Sequence, residues 1–310
     1  MLTDSPAKLN LHLRVAPPTA DGFHPLLSWM VTLDLHDTIA VTPSFSGIHL
    51  TCDRPELACD STNLIVRAAS AFKNALSAEA AGYADSYTSP DIFTPCNAEI
   101  HLTKRIPLGG GLGGGSSNAA NTLMQLNRLW NINWPAPRLA SLSATLGSDI
   151  PFFFYGPSSI CRGRGQIVRP VVPPSPQAAM LILPAFPMPT AAVYRRFDEL
   201  SLGNSDAVAA EFPDWHSLRA IELLDMLVND LEKPAFDLEP RLPHLADHFR
   251  SICKRPVHMS GSGSTLFTLY DTVTEAHSAA HAATLSLAHS SDLASVRILV
   301  SRLVPQITRR

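Results

Sequence analysis

Pro107-Leu108-Gly109-Gly110-Gly111-Leu112-Gly113-Gly114-Gly115-Ser116-Ser117-Asn118-Ala119-Ala120 places six glycines in fourteen residues and runs into an alanine-rich helical pattern. Side chains are cleared from the backbone just ahead of a helix N-terminus. Backbone N–H groups and the positive end of the helix dipole then make a seat for an anion, typically phosphate. Upstream, Glu99–Lys104 alternates as a strand with Ile100 and Leu102 facing inward. The local order is therefore strand, glycine loop, helix.

Two common identities for such a loop fail. A P-loop needs a lysine after its last glycine, and Ser116 stands there. Gly109-x-Gly111-x-x-Gly114 fits the dinucleotide fingerprint, which requires an acid about 20 residues on for the ribose. No Asp or Glu occurs between Glu99 and Asp149. A plain flexible turn fits poorly between a strong strand and a strong helix with Ser-Ser at its cap. The missing acids also strip the helix of the negative charge its first turn would favour, while Lys104-Arg105 lies just upstream. A polyphosphate suits such a site, so the loop reads as a nucleotide-phosphate seat of another class.

The remaining chain sets bounds. Its 310 residues are 45% hydrophobic and 16% charged, enough for two cores. A net charge of −3 offers no basic field for nucleic acid. No apolar run is long enough to span a bilayer. Met1-Leu2-Thr3-Asp4-Ser5 lacks the basic and apolar regions of a signal peptide. Five cysteines without a C-x-x-C pair read as free thiols in a reducing cytoplasm. The pairs His244/His248 and His277/His281 have i, i+4 spacing but neither the H-E-x-x-H pattern nor a nearby cysteine pair, and read as exposed helix face.

Lys8–Val15 alternates strictly, with Lys8, Asn10, His12 and Arg14 on one face. Further strands are expected at Leu26–Leu33, Thr38–Thr42 and Ile48–Cys52. A helix is expected over Asn63–Leu76, then a surface insertion over Ser77–Cys96, and helices over Ser116–Trp130 and Pro137–Leu146. Strand-like pieces follow at Ser159–Arg162 and Ile167–Val172. Four prolines in Pro170–Pro176 mark the domain boundary, giving a first domain over 1–170 and a second over 171–310 whose last strand is free to return to the first. The second half reads as strands Ala179–Leu183, Leu266–Tyr270 and Val296–Val300. Its helices are expected near Ala191–Leu200, Ser217–Asn229, Leu242–Cys253 and Thr274–His289. Segregated strands and helices make the class α+β.

The glycine run and its Ser-Ser-Asn-Ala-Ala continuation resemble the phosphate loop of the GHMP kinases. Other segments agree in order: Ser5-Pro6-Ala7-Lys8-Leu9-Asn10-Leu11, Ala20-Asp21-Gly22-Phe23-His24, Leu33-Asp34-Leu35-His36-Asp37-Thr38 and Asn63-Leu64-Ile65-Val66-Arg67. Gly147-Ser148-Asp149-Ile150-Pro151, Asn229-Asp230-Leu231-Glu232 and Met259-Ser260-Gly261-Ser262-Gly263-Ser264 complete the set. The two N-terminal motifs look most like the branch whose substrate is a cytidine diphosphate conjugate of methylerythritol. The resemblance implies a two-domain fold, with a ribosomal S5 domain 2-like, ATP-binding domain over 1–170 and a ferredoxin-like, substrate-binding domain over 171–310. It implies ATP and Mg²⁺ as cofactors, and phosphorylation of the conjugate's 2-hydroxyl on the non-mevalonate route to isoprenoid precursors. It implies no nucleic-acid or membrane partner, and a monomer or homodimer.

Roles follow by resemblance. Lys8 and Asp149 are the catalytic pair; from the residues alone, Asp149 reads equally as a cap of the next helix. Asn63 and Lys104 belong around the adenine. Pro107, Gly109, Gly110, Gly111, Gly113, Gly114, Gly115, Ser116 and Ser117 hold the donor phosphates, with Ser116 and Ser117 also fit to hold Mg²⁺ through water. Asn10, Phe23, His24, Thr190, Tyr194, Gly261, Ser262 and Gly263 bind the acceptor, with Phe23 and Tyr194 flanking the pyrimidine. Family members often carry Tyr where Phe23 stands, so stacking survives here and a hydroxyl contact is lost. Rival readings are a GHMP kinase for homoserine, mevalonate or a sugar, and a non-catalytic nucleotide sensor, which the presence of both Lys8 and Asp149 disfavours.

Overall fold

The computed structural model describes residues 1–83, 96–287 and 295–305. Strand β1 is Leu2–Val15. Leu9, Leu11 and Leu13 are buried on one face, but so are Lys8, Asn10 and His12 on the other. Polar side chains buried this way must find partners, and those partners build the site. β2 (Leu26–Pro43) is one strand of 18 residues where the pattern suggests two. No glycine or proline interrupts Asp34-Leu35-His36-Asp37, so the backbone continues and changes its neighbour along the way.

Contacts group the described residues into two compact units, neither contiguous in sequence. The first takes Met1–Pro6, His36–Ile106 and Gly114–Phe154. Here Thr38–Pro43 of β2 pairs antiparallel with β4 (Ala98–Thr103), and β4 pairs parallel with β3 (Ile48–Cys52). Parallel neighbours need a crossover, which α1 (Leu64–Tyr83) supplies between β3 and β4. α1 packs on α2 (Gly114–Leu129), and α3 (Ala136–Ala144) packs on a 3-10 turn at Pro151–Phe154. Ile39, Val41, Phe72, Ile100, Leu123 and Leu126 are fully buried between sheet and helices. α1 runs into the expected insertion, because the alanine-rich residues past Leu76 are strong helix formers. The rest of that insertion reading falls on 84–95, outside the described residues.

The second unit takes Ala7–Leu35, Pro107–Gly113 and the described residues from Tyr155 onward, so it draws on both sides of the proline-rich segment. Leu26–Val31 of β2 pairs antiparallel with β5 (Ser158–Gly163), which pairs with β6 (Ile167–Pro170). Four more strands, β7 (Ala178–Leu183), β8 (His258–Met259), β9 (Leu266–Tyr270) and β10 (Arg297–Arg302), form an antiparallel sheet in the order β10-β7-β9-β8. The order 4-1-3-2 is the ferredoxin-like arrangement that the resemblance implied. α4 (Thr190–Glu199), α5 (Ser205–Ala209), α6 (Ala220–Met226), α7 (Glu232–Leu238), α8 (Arg241–Cys253) and α9 (Val273–Leu287) complete the unit. Leu245 and Phe249 of α8 and Ala276 and Ala283 of α9 pack with Met180, Ile182 and Leu266 in one core.

α6 is shorter than the Ser217–Asn229 expected. Val228 and Asp230 instead bond to β1: Leu13 N–H to Val228 O at 2.8 Å and Asp230 N–H to Leu13 O at 2.9 Å. A strand-like bridge thus replaces the last helical turn. α7 escapes the sequence pattern because Pro234 sits in it; at the third helical position a proline loses no helical hydrogen bond. No helix among the described residues is long and apolar enough to cross a membrane.

Candidate active site

Lys8 lies in β1 with a buried side chain, which excludes the solvated strand lysine that its alternation would also permit. Its Nζ donates to Asn10 Oδ1 and, at 2.9 Å, to Gly111 O. Asn10 Nδ2 donates to Ser28 Oγ at 2.8 Å, and Ser28 Oγ donates to His12 O at 2.9 Å. The Asn10 amide orientation is therefore set from both ends. Lys8 N–H also donates to Leu112 O at 2.9 Å, stitching β1 to the glycine loop.

The second glycine turn docks on the same loop. Ser260 Oγ accepts from Asn10 N–H (3.2 Å) and donates to Gly111 O (3.2 Å). Thr265 N–H donates to Gly110 O at 3.2 Å. Two backbones approach this closely only because a side chain is missing: a Cβ on Gly111 would stand 2.4 Å from Ser260 O. Lys8, Asn10, Gly111, Ser260 and Gly261 are thus one cluster. Thr190 joins the turn through Ser262, Oγ1 to Oγ at 2.8 Å. The Ser264 hydroxyl donates to Phe186 O at 2.7 Å, fixing the turn's far end.

In the first unit, Lys104 is buried and pairs with Asp37 at 2.6 Å, and donates to Ile106 O at 2.8 Å. Asp37 also accepts from Arg105 N–H (2.6 Å), Ile106 N–H (2.8 Å) and Asn118 Nδ2 (3.0 Å). Burial pushes the Lys104 ammonium below the ordinary lysine range, and Asp37 opposes that shift. The pair holds the strand's exit and the second turn of α2 together. Gly114 opens α2 where a Cβ would lie 3.0 Å from Lys104 Nζ and 3.1 Å from Ile106 Cγ2. Asn63 caps α1: Ile65 N–H donates to its Oδ1 at 3.0 Å, and its Nδ2 donates to Ala58 O at 2.6 Å.

Asp149 is half-buried on the turn between α3 and Pro151–Phe154, where Ile150 N–H donates to Gly147 O at 3.3 Å. Ser116 is half-buried in the first turn of α2. The Ser117 hydroxyl beside it is buried with no hydrogen-bond partner among the described residues. No cluster of three or more His, Cys, Asp or Glu suited to a metal ion occurs among the described residues. A nucleotide-bound Mg²⁺ takes most of its ligands from phosphate and water and needs one or two protein oxygens, so an unsatisfied serine hydroxyl at the phosphate loop fits it.

Of the expected pyrimidine residues, His24 and Tyr194 come together with ring centroids 4.9 Å apart. His24 Nε2 meets Asp198 Oδ1 at 2.7 Å. Phe23 is half exposed and carries the Arg164 guanidinium 3.8 Å from its ring centroid, while Arg164 also pairs with Asp21. Sequence reasoning alone does not reach Asp37, Asn118, Arg164 or Asp198 as partners in these contacts. Asp37 and Asn118 lie inside the motifs quoted above, and a charge within a strand pattern is the signal for Asp37. Arg164 and Asp198 lie 143 and 174 residues from their partners, and no local signal announces them.

Residues 63–157 match the family model described as the GHMP kinases N terminal domain. A relative from Synechococcus sp. (strain CC9605), named 4-diphosphocytidyl-2-C-methyl-D-erythritol kinase, is 34% identical over 324 residues, covering 100% of this chain and 94% of its own. One of the same name from Geobacter metallireducens is 33% identical over 299 residues, covering 96% and 98%. A crystal structure of 4-(cytidine 5'-diphospho)-2C-methyl-D-erythritol kinase aligns with a TM-score of 0.72 at 34% identity, over 98% of this chain and 99% of that one. A mevalonate kinase structure at 13% identity, TM-score 0.64, covering 98% and 99%, shares the fold.

Proposed function

The chain belongs to the 4-diphosphocytidyl-2-C-methyl-D-erythritol kinase family of the GHMP kinases, and we propose on that footing how its residues carry out the reaction. It transfers the γ-phosphoryl group of ATP to the 2-hydroxyl of 4-diphosphocytidyl-2-C-methyl-D-erythritol, on the non-mevalonate route to isoprenoid precursors. The observation that carries this reading is identity across nearly the whole chain to relatives of that single name.

Phosphoryl transfer asks for alignment, neutralisation of charge and a nucleophile that loses its proton. Asp149 accepts the proton of the 2-hydroxyl as general base. Lys8 offsets the charge that develops on the transferring phosphoryl group. Asn10, fixed by Lys8 and Ser28, orients the hydroxyl. The Gly109–Gly115 backbone seats the donor phosphates with Pro107, Ser116 and Ser117, and Asn63 and Lys104 bound the adenine pocket. Ser116 and Ser117 would hold Mg²⁺ through water, and the ion would supply charge neutralisation to the donor phosphates. His24 and Tyr194 with Phe23 receive the cytosine, and Thr190, Ser262 and the glycines at 261 and 263 lie along the acceptor. Five cysteines without a disulfide support a cytoplasmic setting.

A steady-state assay tests the base. Asp149→Asn is expected to lower turnover about 100-fold or more, with ATP still bound in calorimetry. Near-normal turnover removes Asp149 from the role. Equal activity on methylerythritol lacking the cytidine diphosphate would overturn the acceptor.

A further inference from the structure

Asn229-Asp230-Leu231-Glu232 has no part in the chemistry above, yet it grips the backbone that carries it. The Asn229 amide donates one N–H to Met259 O at 2.7 Å and another to Gly261 O at 2.8 Å, and its Oδ1 accepts from Leu231 N–H at 2.9 Å. Every polar atom of this buried side chain is used. Glu232 Oε1 accepts from Met259 N–H at 2.7 Å, one residue before the turn begins. The two residues therefore hold different peptides: Glu232 the entry to the turn, Asn229 its centre.

In a planar trans peptide the carbonyl and the following N–H point in opposite directions. With Gly261 O held on Asn229, the Ser262 N–H points away from Asn229. It has no hydrogen-bond partner among the described residues, although Ser262 is only 8% exposed. Buried N–H groups are rarely left so unless they serve a ligand or water. The peptide sits beside the reacting groups: Gly261 has φ +59, and a Cβ there would stand 3.0 Å from Asn10 Oδ1 and 3.4 Å from Lys8 Nζ.

We propose that Asn229 is a positioning residue for phosphoryl transfer, holding the Gly261 carbonyl so that the Ser262 N–H donates to an oxygen of the transferring phosphoryl group. This rests on the proposed roles of Lys8 and Asn10 around that group. Aspartate at 229 has nearly the same shape but donates nothing, and its carboxylate would face two carbonyl oxygens.

Asn229→Asp is compared with Glu232→Gln for turnover, melting temperature, and calorimetric affinity and stoichiometry for ATP and for the acceptor. Asn229→Asp is expected to lower kcat about 100-fold, the cost of losing one preorganised donor, with both ligands still bound in full stoichiometry. Glu232→Gln is expected to keep kcat within a few-fold at a comparable loss of melting temperature. Unchanged kcat in Asn229→Asp, or an equal fall in both variants, overturns the proposal. Should Asn229→Asp fail to fold, the native enzyme decides. Its Ser262 amide nitrogen resonance should move on adding ADP, aluminium fluoride and acceptor together, and no movement overturns the proposal. Lys8→Ala separates the premises: full turnover there removes the reading of the site itself. An inactive Lys8→Ala beside an active Asn229→Asp removes only the role of Asn229.

Discussion

Asp37 is the residue whose loss would be felt most directly. Its carboxylate gathers four donors, from Lys104, Arg105, Ile106 and Asn118, with no solvent access of its own. Removing its charge leaves the Lys104 ammonium buried without a counter-ion. Asp37→Asn is expected to cost roughly 3 kcal/mol in urea unfolding, and to raise the KM for ATP because the strand exit and α2 lose their common anchor. An unchanged unfolding midpoint would mean that the pair is idle. Lys104 is legible as a basic residue near the loop, since it abuts the run in sequence. Its partner is not: Asp37 reads as one more polar residue on a strand, and only folding brings it 67 residues along the chain to Lys104. At Lys8 the same limit applies, because alternation shows which face it occupies and not whether that face is covered.

The glycine run follows β4 as expected, but its last two glycines belong to α2, which starts at Gly114 and not at Ser116. Its identity rested on absent side chains, and the structure shows what their absence permits. Gly111 has φ +75, and its missing Cβ leaves room for Ser260 O. Gly111→Ala therefore meets backbone strain and a backbone clash together. We expect a stability loss of about 2 kcal/mol and at least about a tenfold fall in kcat/KM, since the Lys8 and Ser260 contacts both use Gly111 O. Alanine tolerated there at full activity would show that the loop and the second turn separate in the working enzyme. β3 and β9 match the sequence expectation end to end, because turn residues bound them on both sides. α6 and α7 do not. Propensity favoured one long helix, and a hydrogen-bonded bridge to Leu13 took over its last turn.

For the molecule as a whole, His12 gives stability a pH dependence. Burial, with Arg14 and His258 nearby, holds its imidazole down to about 4 from an ordinary 6.5. Phe212 and Trp215 sit edge-on at 5.6 and 5.4 Å, and Nδ1 accepts from Val228 N–H at 3.2 Å, all of which suit the neutral ring. Below 6.5 the unfolded chain takes up a proton at His12 that the folded chain refuses until about 4. Stability is therefore complete above 6.5 and falls as pH drops towards 4, by about 3 kcal/mol across that window. Urea unfolding at pH 7, 5.5 and 4.5 should show the advantage of the native protein over His12→Phe shrinking with acidity. A difference independent of pH would rule this out.

The sequence by itself determined the strand, glycine run and helix order, the α+β class, the order of most elements and the family. These depend on residues close along the chain, where glycine spacing, alternation and missing charges act locally. Tertiary structure alone decided which polar groups meet. Lys8 reaches Gly111 across 103 residues and Asn229 reaches Gly261 across 32. It also decided that the compact units draw on separated stretches of chain. A buried donor takes whichever acceptor packing brings within about 3 Å, and packing is a property of the folded chain that no local pattern encodes.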